Sequence, residues 1–230
     1  MPGNDSYTKL LIQAKEADGS TTPADSSASV HTLTAVNQAQ VDTAQYPPLT
    51  GATGSLLFDG NDGITTPDSA DWDFGTGDFT IDLWARIATD KVCYLISLVN
   101  DDWSIVRFNS GTLRFRIGGT DAISAAWSPS TNTWYHIAVV RSGTSLVMYV
   151  DGTSIGSATN STNLTTANQL AIGNYASSIG AEGFNGHLGE VRLSKGIARW
   201  TANFTRPSAQ YGPDSIQSPR SMHQNRMRRT

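Results

Sequence analysis

The side chains in this sequence that could do chemistry are few, and their spacing limits what each can do. Retaining cleavage of a glycosidic bond needs two carboxyl groups about 5–5.5 Å apart. The chain has only three glutamates, Glu16, Glu182 and Glu190, far apart in sequence, and none of the strand-like runs holds two acids at i and i+2 with a Glu among them. Asp78 and Asp82 share a run but stand four residues apart, about 13 Å along a strand, too far for that pair. His31, His136, His187 and His223 occur singly, without the His-Glu-x-x-His or Cys-His spacing of a zinc site. His136 therefore reads as a packed or hydrogen-bonded strand residue. Gly75-Thr-Gly77 reads as a turn before a strand, not a phosphate cradle. Hard cations take loop oxygens, and Asp59-Gly-Asn-Asp-Gly63 offers Asp59, Asn61 and Asp62 as a calcium candidate. Its spacing is not that of an EF-hand, and a plain turn between two strands is the competing reading. Sugar recognition uses aromatic faces beside amides and carboxylates. Trp84, Trp103, Trp127, Asn174 and Tyr175 are the candidates, with Tyr175 foremost because it enters a Ser/Gly-rich loop after Ile172-Gly-Asn174.

The elements that must position these groups are strands. Charged residues make up 16% of the 230 residues and Gly reaches 21, a composition that suits turn-rich β structure. In Asp78–Ile87, Phe79, Ile81, Leu83, Ala85 and Ile87 alternate with Thr80, Asp82, Trp84 and Arg86, the period of a half-buried strand. Thr112–Ile117 turns Leu113, Phe115 and Ile117 to one face and Arg114 and Arg116 to the other. Trp134–Arg141 and Ser145–Val150 flank Ser142-Gly-Thr144, and Asp151-Gly152 opens a second tight turn, so a three-strand meander is expected. Tyr7–Ile12, Gln169–Gly173 and His187–Leu193 read as further strands, and Lys195–Thr201 as a short helical turn. These divide the chain into an N-terminal strand with wrapping loops (1–54), the main sandwich (55–213) and a tail (214–230). The single cysteine, Cys93, lies in an apolar run and reads as a core residue.

Four basic residues, Arg220, Arg226, Arg228 and Arg229, lie beyond Ser215, leaving twelve basic against twenty acidic residues before them, a net of −8. An acidic body argues against nucleic acid as a partner. Those four arginines are candidates for docking on an acidic neighbour. No apolar run approaches the roughly 20 residues that cross a bilayer, and Met-Pro-Gly-Asn-Asp has neither the basic nor the apolar stretch of a leader. Neither membrane insertion nor export by its own leader is expected.

Five segments resemble the laminin-G-like jelly roll of the concanavalin A-like lectin/glucanase superfamily. They are Phe58–Pro67, Trp72–Trp84, Trp134–Thr144, Met148–Gly152 and Phe184–Ser194, in the family's order, spanning about Leu56 to Pro207. The resemblance implies an all-β, antiparallel β-sandwich of jelly-roll type. The run Lys195–Phe204 is similar to versions in bacteriophage and bacterial surface proteins. The superfamily's glucanases set two Glu and an Asp on one strand, a pattern missing here, so no catalysis is expected. The reading is a non-enzymatic structural or adhesion protein of a phage virion surface: a decoration, head-fibre or tail-associated component. Its expected partners are other virion proteins, copies of itself or host surface glycans. No cofactor is required, with calcium as an option at the rim, as in related laminin-G domains. A lectin-like carbohydrate-binding module is the alternative, and a glycoside hydrolase ranks third.

Overall fold

Short β-branched and aromatic runs, separated by Gly, Asn and Asp turns, pair as strands because each buries one face against another sheet. The computed structural model describes residues 2–108 and 111–213; the docking candidates Arg220, Arg226, Arg228 and Arg229 lie outside them. In chain order the strands are β1 (Pro2–Asn4), β2 (Thr8–Ile12), β3 (Thr34–Val36), β4 (Gln40–Asp42), β5 (Ser55–Asp59) and β6 (Gly63–Thr66). There follow β7 (Phe79–Ile87), β8 (Cys93–Leu98), β9 (Trp103–Phe108), β10 (Thr112–Ile117), β11 (Thr120–Ala126) and β12 (Trp134–Ser142). The last are β13 (Ser145–Val150), β14 (Thr153–Thr159), β15 (Leu170–Ile172), β16 (Asn185–Lys195) and β17 (Gly212–Pro213).

Two antiparallel sheets form the sandwich. The larger runs β14-β13-β12-β7-β16-β5-β4, and the smaller β11-β10-β9-β8-β15-β6-β3. β16 serves two neighbours along one edge: its first half pairs with β5, its second with β2. The N-terminal region thus supplies strands to both sheets, through β2 and β4 on one side and β3 on the other. The expected meander appears as β12-β13-β14. Between the sheets lie the inward residues of each alternating run, among them Phe79, Ile81, Leu83, Ala85 and Ile87 of β7 and Leu113 and Phe115 of β10. Cys93 is in this core, where burial pushes its thiol up to about 12, which makes it a packing residue and not a nucleophile.

One element differs from expectation. Lys195–Thr201 is not helical: β16 runs to Lys195, and the chain then crosses the outer face of the larger sheet as irregular backbone. Trp200 and Phe204 stack there at 4.1 Å and pack on Ala138, Val140 and Tyr149. Burying those two rings outweighs whatever a single isolated turn of helix would gain.

Beneath the crossing lies a polar cluster. Asp82 is fully buried and accepts from Arg192 Nε (2.8 Å) and Tyr211 Oη (2.6 Å), with His136 Nε2 at 3.3 Å. Arg192 also lies 3.5 Å from the centre of the Tyr211 ring and donates to the Gly3 carbonyl. Burial alone would raise Asp82, but the Arg192 charge and the His136 bond hold it at about 2. The cluster ties Gly3 and Tyr211, near the two ends of the described residues, to the sheet.

Candidate functional site

The best-formed surface site is the loop from Gly173 to Gly183, which folds over the outer face of the smaller sheet. Its entry requires glycine: Gly173 has φ +76°, and a Cβ there would meet the Phe58 ring at 2.5 Å. Asn174 then fastens the loop from within. Its Nδ2 donates to the Asp62 carbonyl (2.7 Å), and its Oδ1 accepts the Tyr175 and Gly180 amides (2.8 and 3.2 Å). Ser97 of β8 adds two bonds, donating to the Asn174 carbonyl and accepting the Ala176 amide. This lacing sets Tyr175 flat on Tyr94, with ring centres 4.7 Å apart. Tyr94 is only 3% exposed while Tyr175 is half-buried, so the open face of the stack belongs to Tyr175.

Charged groups stand beside the stack. Tyr94 Oη donates to Asp101 Oδ2 (3.1 Å), and Arg116 Nη1 donates to both the Asp101 carboxylate and Tyr94 Oη. Burial, and after it the Asp101 charge, raises the Tyr94 phenol, so it stays a neutral donor. Asp101 Oδ1 is buried with no partner among the described residues. Asn100 and Asp101 are consecutive left-handed residues, φ 58° and 55°. Backbone of this kind costs of order 1 kcal/mol per residue and gathers where a group must be aimed. Here it aims the Asp101 carboxylate across β8 at Tyr94. On the same outer face Arg114 covers the Phe108 ring at 3.9 Å and pairs with Asp121. The outward period of Arg114 and Arg116 is legible in the sequence. Tyr94 and Asp101 are not, because one sits in an apolar run and the other in an ordinary-looking turn.

The other aromatic candidates are corrected by burial. Trp84 is 1% exposed: Arg206 covers its ring at 5.2 Å and His136 lies at 5.5 Å. Trp103 is wholly buried in the core and donates its indole N–H to the Trp72 carbonyl. Trp127 is buried at the core's margin, edge-on to Tyr135. Asn174 is buried too, so it holds the loop and offers nothing to a ligand. Of the five candidates only Tyr175 presents a ring to solvent. A cleft of about 150 Å³ between Asp102, Gly118 and Thr162–Thr166 is below the roughly 300–1,000 Å³ of ligand pockets.

The calcium candidate is a stapled turn. Asp59 Oδ1 accepts the Asn61 amide (2.8 Å), and Asp62 Oδ1 accepts the Asp59 amide (3.0 Å). Asn61 is exposed, while Asp62 is buried, which pushes its carboxyl up to about 6, the nearby Asp59 charge adding to the effect. Calcium takes six to eight oxygens, and among the described residues no three acid, His or Cys side chains gather as a metal site. The turn residues do not fit a calcium cage.

Glu190 and Ser154 also hold structural positions. Glu190, at φ 48° in a β16 bulge, accepts from Gln13 and from the Tyr211 amide, and burial raises it. Gly152-Thr-Ser-Ile-Gly156 has the G-x-S-x-G spacing of a nucleophile elbow, but Ser154 lies in the edge strand of a hairpin, not at a strand-to-helix turn. No helix of the described residues is long and apolar enough to cross a membrane.

A family profile described as the concanavalin A-like lectin/glucanases superfamily, of laminin G type, matches residues 58–199. No curated protein matches the chain significantly by sequence. Among solved structures, domain 4 of AbnA, a GH43 extracellular arabinanase from Geobacillus stearothermophilus, in complex with arabinotriose, is similar at TM-score 0.62 and 16% identity. The match covers 83% of this chain and 93% of that one. The binding domain of Paraclostridial Mosquitocidal Protein 1 gives TM-score 0.62 and 15% identity over 83% of this chain and 49% of that one. The binding domain of botulinum neurotoxin DC, in complex with rat synaptotagmin II, gives 0.60 and 15% over 85% and 50%. The chain spans about half the length of those two toxin domains, and at these identities the likeness is one of fold.

Proposed function

Because this chain belongs to the concanavalin A-like lectin/glucanases superfamily, we propose that it is a non-enzymatic binding domain that recognises a saccharide on the Tyr175 platform. The observation that supports this is the Tyr175 ring, buried on one face by Tyr94 and open on the other, beside the partly exposed Arg116 guanidinium. A flat ring with a charged rim is what a pyranose or furanose needs: apolar C–H groups stack on the aromatic face, and hydroxyls bond to the guanidinium. One structural neighbour was solved with arabinotriose and another, matched over half its length, with synaptotagmin II, which supports a binding role. The open aromatic ring favours a sugar.

The test is a glycan array followed by calorimetry on wild type and Tyr175→Ala. A ligand should be found, and the substitution should weaken it about tenfold or more, the value of one lost stacking ring. Binding that survives Tyr175→Ala undiminished overturns the assignment. Release of reducing ends from any bound polysaccharide overturns the non-enzymatic part.

The setting we propose is a phage virion surface, with the domain as a decoration, head-fibre or tail-associated component. The Lys195–Phe204 run supports it, as does the contrast between an acidic body and Arg220, Arg226, Arg228 and Arg229, which would dock on a neighbouring virion protein. Incorporation into particles that is unchanged after deletion of Ser215–Thr230 would refute that docking role.

A further inference from the structure

The returning chain leaves open a second row of side chains, on the opposite sheet from Tyr175. Register sets Trp134 beside Arg86, Arg86 beside His187, His187 beside Leu57, and Leu57 beside Gln40, in one line across β12, β7, β16, β5 and β4. Their neighbours Ala85, Ile87, Leu188, Leu56 and Val41 face the core, so by alternation the row faces outward. Trp134, Arg86, Leu57 and Gln40 are half-buried, and His187 is 7% exposed. The Trp134 and His187 rings approach to 6.3 Å across the Arg86 strand.

Arg86 is the exception among the arginines. Of the eight in the described residues, the other seven each hold a carboxylate or, for Arg141, backbone carbonyls. Arg86 holds neither among the described residues, although the chain has an excess of acids. Beside it His187 Nε2 lies 2.8 Å from Asp42. Burial, with the Arg86 charge, lowers the imidazole pKa against the pull of Asp42. A neutral ring donates Nε2–H to Asp42 and leaves Nδ1 an acceptor, and that nitrogen is buried without a partner among the described residues. A half-covered guanidinium fork without a counter-ion, flanked by an indole and an unsatisfied acceptor, is an arrangement that a ligand would complete.

We propose that this row is a subsite for a carboxylate-bearing sugar residue, the Arg86 fork taking the carboxylate and the Trp134 ring one face of the sugar. Arginine matches a carboxylate in a bidentate, charge-assisted way. Gln40 stands in the same line to bond ring hydroxyls. A peptide fits less well: β12, β7 and β16 are interior strands whose backbones are already paired on both sides, so there is no free edge for an extended chain to join.

The experiment is calorimetric titration of the full chain with a galacturonic-acid oligosaccharide, its methyl ester, sialyllactose and an Asp/Glu-rich peptide. One or both acidic sugars should bind, and the uronate ester should bind about tenfold weaker or less. Arg86→Gln should remove that preference for acid over ester, Arg86→Lys should restore part of it, and Trp134→Ala should weaken acid and ester alike. Melting curves establish that each variant is folded. Failure of both acidic sugars to bind, binding indifferent to Arg86→Gln, or a peptide that binds as tightly as the sugar would each overturn the proposal.

Discussion

The part of the larger sheet's outer face that lies under the returning chain and the outer face of the smaller sheet begin from the same sequence pattern and end in opposite states. On the larger sheet, the outward residues of β7 and β16, Asp82, Trp84 and Arg192, are almost completely buried, because the chain after Lys195 lays Trp200, Phe204 and Tyr211 over them. On the smaller sheet, Arg114 and Arg116 of β10 stay half-exposed, and the loop that crosses beside them ends in an open tyrosine. Alternation states which residues leave the core. It does not state whether something else covers them. A covered face must satisfy every charge internally and so becomes a lock, whereas an open face can leave an aromatic ring and part of a guanidinium accessible to a ligand.

The sharpest way to break this contrast is to remove one member of the lock. Arg192→Met leaves Asp82 buried without its counter-ion and should cost about 3–5 kcal/mol in urea unfolding, while saccharide binding per folded molecule stays unchanged. Replacing Asp82 by Leu in the same chain should recover much of the loss, since an apolar pair needs no compensation.

Acid titration probes the same face. The folded Asp82 pKa of about 2 lies below its ordinary 3.8, so its stabilisation is complete above about pH 4 and is lost as pH falls towards 2. Tryptophan fluorescence through that range should show the wild type weakening more steeply than Asp82→Asn. The turn under the Tyr175 loop has the reverse sign. Asp62 titrates at about 6 when folded against 3.8, so its ionisation costs stability above pH 6 and the protein gains as pH falls from 6 to 4. Asp62→Asn should therefore be about 1 kcal/mol more stable than wild type at pH 8, with the gap closing below pH 4 in thermal melts. The smallest effect is expected on the open face, where Tyr175→Ala removes one aromatic stack and should cost about 1 kcal/mol or less in urea, although it abolishes most of the binding.

Much of the fold was legible because period and punctuation are local. The alternating runs of β7, β10 and β12 and the Ser142-Gly-Thr144 turn each report their own strand. β3 and β4 were not legible: they are three-residue strands in polar sequence, and only partners β6 and β5, more than ten residues later, make them strands. Lys195–Thr201 went the same way, its conformation set by a sheet face that no local window contains. Of the candidate site, Tyr175 could be read from its loop, whereas Tyr94 and Asp101 could not, since one looked like core and the other like turn.

By itself the sequence determined the strands, the inward residues, the resemblance to the jelly roll and the lack of a glutamate pair, all properties of neighbours along the chain. The tertiary structure alone decided which outward residues are sealed and which remain open. Trp84 and Tyr175 are both aromatic side chains outside the sandwich core, and what separates them is Arg206, 122 positions after Trp84, lying over one ring with nothing equivalent over the other among the described residues. Burial of an outward residue depends on contacts between distant segments, and those exist only once the chain has folded.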